Sequence, residues 1–236
     1  MINRLLQTID QKKHIKEEIT EALLYKNRFM KSGFIILSIL GALSISQISL
    51  SLVTKDIITI KSYSDLVNYY TVFVFITGLF ILPYHFSHYG LNNKNLKLNL
   101  ILGLTIGSVL AAIVIFLRIY SANNGVASSA FTFKLKFTDI VYPLFVLSQE
   151  MVMKGYIQGY FIILFGEGRK NKFTAIFIAS WIFAMLHSAF GIYVFMLVFL
   201  YAILTGYLFE KTRSVIGVSI IHYAAGAALY YFSSLT

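Results

Sequence analysis

Long apolar runs alternate with short polar breaks along this chain, and seven runs stand out, at about 33–53, 66–86, 98–118, 138–165, 173–190, 191–209 and 214–233. Several reach the roughly 20 residues at which a helix crosses hydrocarbon. Within a bilayer every backbone N–H and C=O must be bonded inside the segment, so runs of this kind predict helices. The fifth and sixth runs meet at Gly191 with almost no loop, which fits a tight, partly re-entrant hairpin. The predicted fold is therefore all-α: a polytopic helical membrane protein of about seven transmembrane helices, within a range of six to eight.

Composition agrees with the pattern. Hydrophobic residues make up 58% of the chain and charged ones 13%, about half the charged fraction of a soluble domain. The formal charge of +10 does not point to nucleic acid, because the basic residues lie between apolar runs instead of along one amphipathic face. They read instead as topology signals. With the N-terminus inside, the inner segments hold Lys94, Lys97, Arg169, Lys170, Lys172, Lys211, Arg213 and seven residues of the first 31, a total of 14. The outer side then holds 5, namely Lys55, Lys61, Arg118, Lys134 and Lys136, a bias that predicts a cytoplasmic N-terminus and an outer C-terminus. Residues 1–31, with Leu5, Ile9, Ile15, Ile19 and Leu23 at loose helical spacing, predict a cytoplasmic amphipathic segment. No cleavable secretory signal precedes the first run. Cysteine is absent, which excludes thiol nucleophiles and cysteine metal ligands.

The Ser-, Asn- and Gly-rich stretch 119–137 is the one plausible internal boundary. It separates the N-terminal transmembrane helices of 32–120, without distinguishing polar groups inside their runs, from a C-terminal half that holds three polar clusters. Those clusters are Ser148-Gln149-Glu150 with Lys154 and Gly155, Phe183 to His187, and His222 to Gly226. Ionisable side chains in hydrocarbon are costly, which marks Glu150, Lys154, His187 and His222 as functional candidates. Glu150 and Lys154, four residues apart with the acid first, predict an intrahelical ion pair. Gly155 and Gly159 predict a close helix approach. A carboxylate and two imidazoles can activate water for attack on a carbonyl, or Glu150, His187 and His222 can bind a divalent metal such as zinc. A shared site requires these groups to converge within about 10 Å. His85 and His88, among Tyr84, Tyr89, Asn92 and Asn93, read as interfacial anchors, as do most of the Tyr and Phe residues. Asp139 reads as a helix-end residue. No internal repeat of the inverted-transporter kind is visible.

Taken in order, the clusters resemble the CAAX protease and bacteriocin-processing (CPBP, or Abi) family, whose motifs are Glu-Glu-x-x-x-Arg, Phe-x-x-x-His and His-x-x-x-Asn. Phe183 and His187 fit the second motif fully, and Gly155 and Tyr156 look like the Gly-Tyr that commonly follows the first. The resemblance implies a helical core over 138–234. It also implies an intramembrane endopeptidase, often regarded as a metalloprotease, that acts on prenylated proteins or peptides, although other members are bacteriocin immunity proteins or regulators. The motif residues fall here on Gln149, Glu150, Lys154, His187, His222 and Gly226. In the family the leading Glu and the second-motif His activate water, and the third-motif His and Asn stabilise the oxyanion. This chain departs at three positions: Gln149 replaces the leading Glu, Lys154 the Arg and Gly226 the Asn. An amide cannot take a proton from water near neutral pH, and glycine has no donor to offer. Two readings follow. Either Glu150 acts as base, with His187 orienting water and His222 facing the oxyanion, or the chain is a non-catalytic member acting on a partner as a membrane regulator or immunity protein. The expected surroundings are membrane lipid, a peptide or membrane-protein substrate or partner, no nucleic acid, and a bacterial cytoplasmic membrane.

Overall fold

The computed structural model describes residues 30–82, 90, 95–123 and 137–231. The N-terminal segment up to residue 29, His85, His88 and most of the Ser/Asn-rich stretch lie outside the described residues, as does the side chain of Asp139. The described residues form helices α1 (Met30–Thr54), α2 (Ile60–Ile81), α3 (Leu96–Asn123), α4 (Phe137–Glu150), α5 (Gly159–Phe165), α6 (Arg169–Met185), α7 (Ile192–Thr212) and α8 (Val215–Tyr231). A π-helical stretch, Met151–Gln158, joins α4 to α5 without a break, so the chain makes seven helical rods and no strand among the described residues. Helices α1, α2, α7 and the Leu96–Leu117 part of α3 are each long and apolar enough to cross a membrane. The chain is an all-α polytopic membrane protein, as its hydrophobic pattern predicts.

Helix boundaries follow local chemistry. Helix α2 starts six residues before its apolar run because the Thr59 hydroxyl accepts the Ser62 amide at 3.1 Å, capping the first turn. Helix α6 ends in the tight hairpin expected at Gly191, with a single 3-10 turn, Ser188–Phe190, before α7. Gly191 takes φ 93° and ψ 168°, a conformation essentially reserved for glycine. At 17 residues α6 is about 25 Å long, shorter than the hydrocarbon core. A rod this short leaves its terminal turn at membrane depth, where non-helical backbone survives only if protein groups bond it.

The core centres on the π stretch, all eight of whose residues are buried, with α2, α6, α7 and α8 packed around it. At Gly159 the predicted close approach is not seen: a Cβ there would meet only the Lys154 carbonyl of its own rod. Small residues do their work elsewhere. Gly103 and Gly107 of α3 face α8, where a Cβ at Gly103 would lie 2.9 Å from the Gly217 carbonyl oxygen and one at Gly107 3.1 Å from Ala224 Cβ. This small-x-x-x-small seam draws the two backbones together. On its outer side α3 leaves Leu104, Val109 and Phe116 exposed, as suits a face toward lipid.

Candidate active site

Glu150 ends α4 just where the winding changes. It is fully buried, and its Oε1 lies 2.8 Å from His222 Nδ1 of α8 and accepts the Tyr201 hydroxyl of α7 at 3.3 Å. A carboxylate only accepts, so Nδ1 of His222 carries the proton and the imidazole is held by an anionic partner. Oε2 of Glu150 is buried with no hydrogen-bond partner among the described residues, an acceptor of the kind that marks a working site.

The predicted ion pair between Glu150 and Lys154 is not formed. Lys154, 1% exposed, donates from Nζ to the Ala202 carbonyl of α7 at 2.7 Å. A π turn closes on the fifth residue, so the fourth no longer stacks as in an α-helix. One turn further, Gln158 Nε2 donates to the Gly206 carbonyl at 3.0 Å, giving two rungs between the π stretch and α7. Gly206 makes room for them: a Cβ there would stand 3.0 Å from Gln158 Oε1 and 2.8 Å from Ile176 Cγ2.

His187 sits in the turn after α6 at φ −110° and ψ 7°, near the sparsely populated bridge region where many active-site residues sit. Its Nδ1 lies 3.0 Å from the Phe183 carbonyl. A carbonyl cannot donate, so Nδ1 holds a proton, and in the neutral imidazole Nε2 carries the basic lone pair. The Phe183 ring touches both imidazoles, with centroids 4.8 Å from His187 and 5.6 Å from His222. His187 is also within electrostatic reach of Glu150 and His222. The packing of α4 on α8 brings Glu150 and His222 into contact.

Gln149 faces a different neighbour. Its Nε2 donates to Asn68 Oδ1 of α2 at 2.6 Å. The turn bearing His187 is likewise secured from the N-terminal helices, where the Tyr63 hydroxyl donates to the Leu186 carbonyl at 2.9 Å and Ser46 Oγ to that of Met185 at 3.1 Å. The two hydroxyls are themselves 2.7 Å apart, and with one proton each at most two of the three contacts are hydrogen bonds at any moment. Together with the amides of Leu186 and His187 on the carbonyls of Phe183 and Ala184, these bonds satisfy the end of α6.

Sequence reading missed Asn68, Ser46, Tyr63 and Tyr201. Asn68 was visible as an amide within an apolar run. The tyrosines were taken as interfacial, whereas Tyr63 is wholly buried and Tyr201 touches Glu150. As for a metal, no three His, Asp or Glu side chains among the described residues form a ligand cluster. Glu150 and His222 are paired through Oε1 and Nδ1, and His187 holds Nδ1 on a backbone carbonyl. What the arrangement offers is a buried carboxylate and imidazole pair next to a second, neutral imidazole.

No curated protein and no solved structure matches the chain. Residues 134–228 match the family model described as type II CAAX prenyl endopeptidase Rce1-like. That stretch begins just before α4, ends in α8 and contains Glu150, His187 and His222. The match over residues 134–228 supports the resemblance of this part of the chain to the CAAX protease and bacteriocin-processing family.

Proposed function

We propose that the chain is an intramembrane endopeptidase that hydrolyses a peptide bond at membrane depth, in the manner its CAAX-type family description suggests. The observation that carries this reading is the 2.8 Å contact of Glu150 with His222 beside the neutral imidazole of His187. The division of labour differs from the one in which Glu150 is the base: here the carboxylate orients His222 through Oε1. His187 Nε2 takes the proton of a water as the water oxygen bonds to the scissile carbonyl carbon. The carbonyl electron pair moves onto oxygen, where His222, oriented by Glu150 through Nδ1 and carrying a second proton on Nε2 in this step, donates from Nε2. Collapse of the tetrahedral species breaks the C–N bond, and the proton on His187 passes to the leaving amine. Gln149 and Lys154 position helices in this scheme and take no proton. The substrate class is a membrane-anchored peptide, such as one ending in a prenylated CAAX sequence, and the membrane is a bacterial cytoplasmic one with the N-terminus inside.

A second reading has its own support: the family's leading carboxylate is here the amide Gln149, tied to Asn68, and residue 226 is glycine. On that reading the chain binds a membrane partner, as a regulator or bacteriocin immunity protein, without turnover. Reconstitution with a quenched, farnesylated CAAX peptide separates the two. Cleavage by the parent that is lost in Glu150→Ala and His187→Ala supports hydrolysis. An inert parent that gains activity on Gln149→Glu supports the binding reading.

A further inference from the structure

Glycine at 226 leaves a hole one helical turn beyond His222, and another side chain fills it. A Cβ built on Gly226 would coincide with the Tyr142 hydroxyl of α4. The phenol therefore occupies the space in which a side chain of residue 226 would lie, and it does so from the opposite helix. Tyr142 packs its ring on Tyr223 of α8 at 5.7 Å between centroids and is within electrostatic reach of Tyr201, whose hydroxyl meets Glu150. No hydrogen-bond partner for the Tyr142 hydroxyl is found among the described residues. A phenol is both donor and acceptor, so its proton is available to an incoming oxygen.

We propose that the Tyr142 hydroxyl is the second oxyanion donor of this site, supplying from α4 the hydrogen bond that a side chain at position 226 of α8 is unable to give. The inference rests on the hydrolase reading. In the tetrahedral species the former carbonyl oxygen accepts from His222 Nε2 on one side and from Tyr142 O–H on the other. Tyr142 keeps its proton throughout. A larger residue at 226 would collide with the donor itself.

The test uses the full chain in nanodiscs with the quenched farnesylated peptide and with a phosphonate analogue that mimics the tetrahedral anion. Tyr142→Phe keeps the ring and removes only the donor. It is expected to lower kcat about a hundredfold or more with little change in KM, and to weaken phosphonate binding by a similar factor while leaving binding of the uncleaved peptide unchanged. Gly226→Asn alone is expected to abolish turnover by collision. In combination with Tyr142→Leu, which clears the space, it is expected to restore turnover above that of Tyr142→Leu alone. If the parent cleaves and Tyr142→Phe cleaves as fast or faster, the phenol is a filler or a plug and the inference is overturned while the hydrolase reading stands. A parent that neither cleaves nor prefers the phosphonate overturns both.

Discussion

Glu150 illustrates how a single buried charge is held by partners that spacing along one helix does not reveal. The i, i+4 relation to Lys154 pointed to an ion pair, but the partners are His222 and Tyr201, which lie 72 and 51 residues away. Residue types were legible, since a carboxylate and two imidazoles in apolar runs are conspicuous. Their tautomers and partners were not, because those depend on which carbonyl or carboxylate the packing brings to Nδ1. The supporting tyrosines were less visible still: an amphipathic ring suits a membrane interface and a buried hydroxyl bond equally well. Tyr63 gives a prediction at this scale. Tyr63→Phe leaves the Leu186 carbonyl short of its donor, which should cost about 1–3 kcal/mol. Thermal unfolding in detergent should show a lower midpoint, and cleavage should fall because the His187 turn loosens. An unchanged midpoint would mean that the Tyr63 bond to the Leu186 carbonyl contributes nothing measurable to stability.

At the level of elements, the change of winding after Glu150 decides the architecture of the site. The π stretch directs Lys154 and Gln158 at consecutive turns of α7, onto the Ala202 and Gly206 carbonyls. Nothing in the sequence announced it, because the residues of Met151–Gln158 fit an α-helical pattern as well as a π one. The hydrophobic runs themselves were legible, as were the hairpin at Gly191 and the rods on either side. Gly-x-x-x-Gly spacing occurs both at Gly155 and Gly159 and at Gly103 and Gly107, and spacing alone does not say which glycine meets a partner helix: Gly103 and Gly107 do, whereas Gly159 does not. Gly206→Ala tests the rungs. The added methyl would press on Ile176 and Gln158, and overpacking of this kind costs about 1–3 kcal/mol. The variant should unfold earlier, whereas Gly33→Ala, where a Cβ meets nothing within 4 Å, should behave as the parent. Equal midpoints for the two variants would show that α7 yields at Gly206.

On the scale of the whole molecule, the N-terminal helices prove to be more than flanking spans. Asn68, Ser46 and Tyr63 reach from α1 and α2 to Gln149 and to the turn that carries His187. The family match begins only at residue 134, so this support comes from outside the matched domain. Orientation can be tested cleanly because the chain has no cysteine. Single cysteines placed at Lys211 and at Gln11 should both be labelled by a membrane-impermeant maleimide only in inside-out vesicles, and labelling of either one in intact cells would reverse the proposed topology. The central claim, that the Glu150–His222 pair and His187 hydrolyse a peptide bond with water, is tested most directly by mass spectrometry of the cleaved peptide after reaction in heavy-oxygen water. The account predicts that the parent yields a product with one heavy oxygen in its new carboxyl group and that His187→Ala yields none. Absence of labelled product from the parent, or undiminished labelled product from His187→Ala, would contradict it.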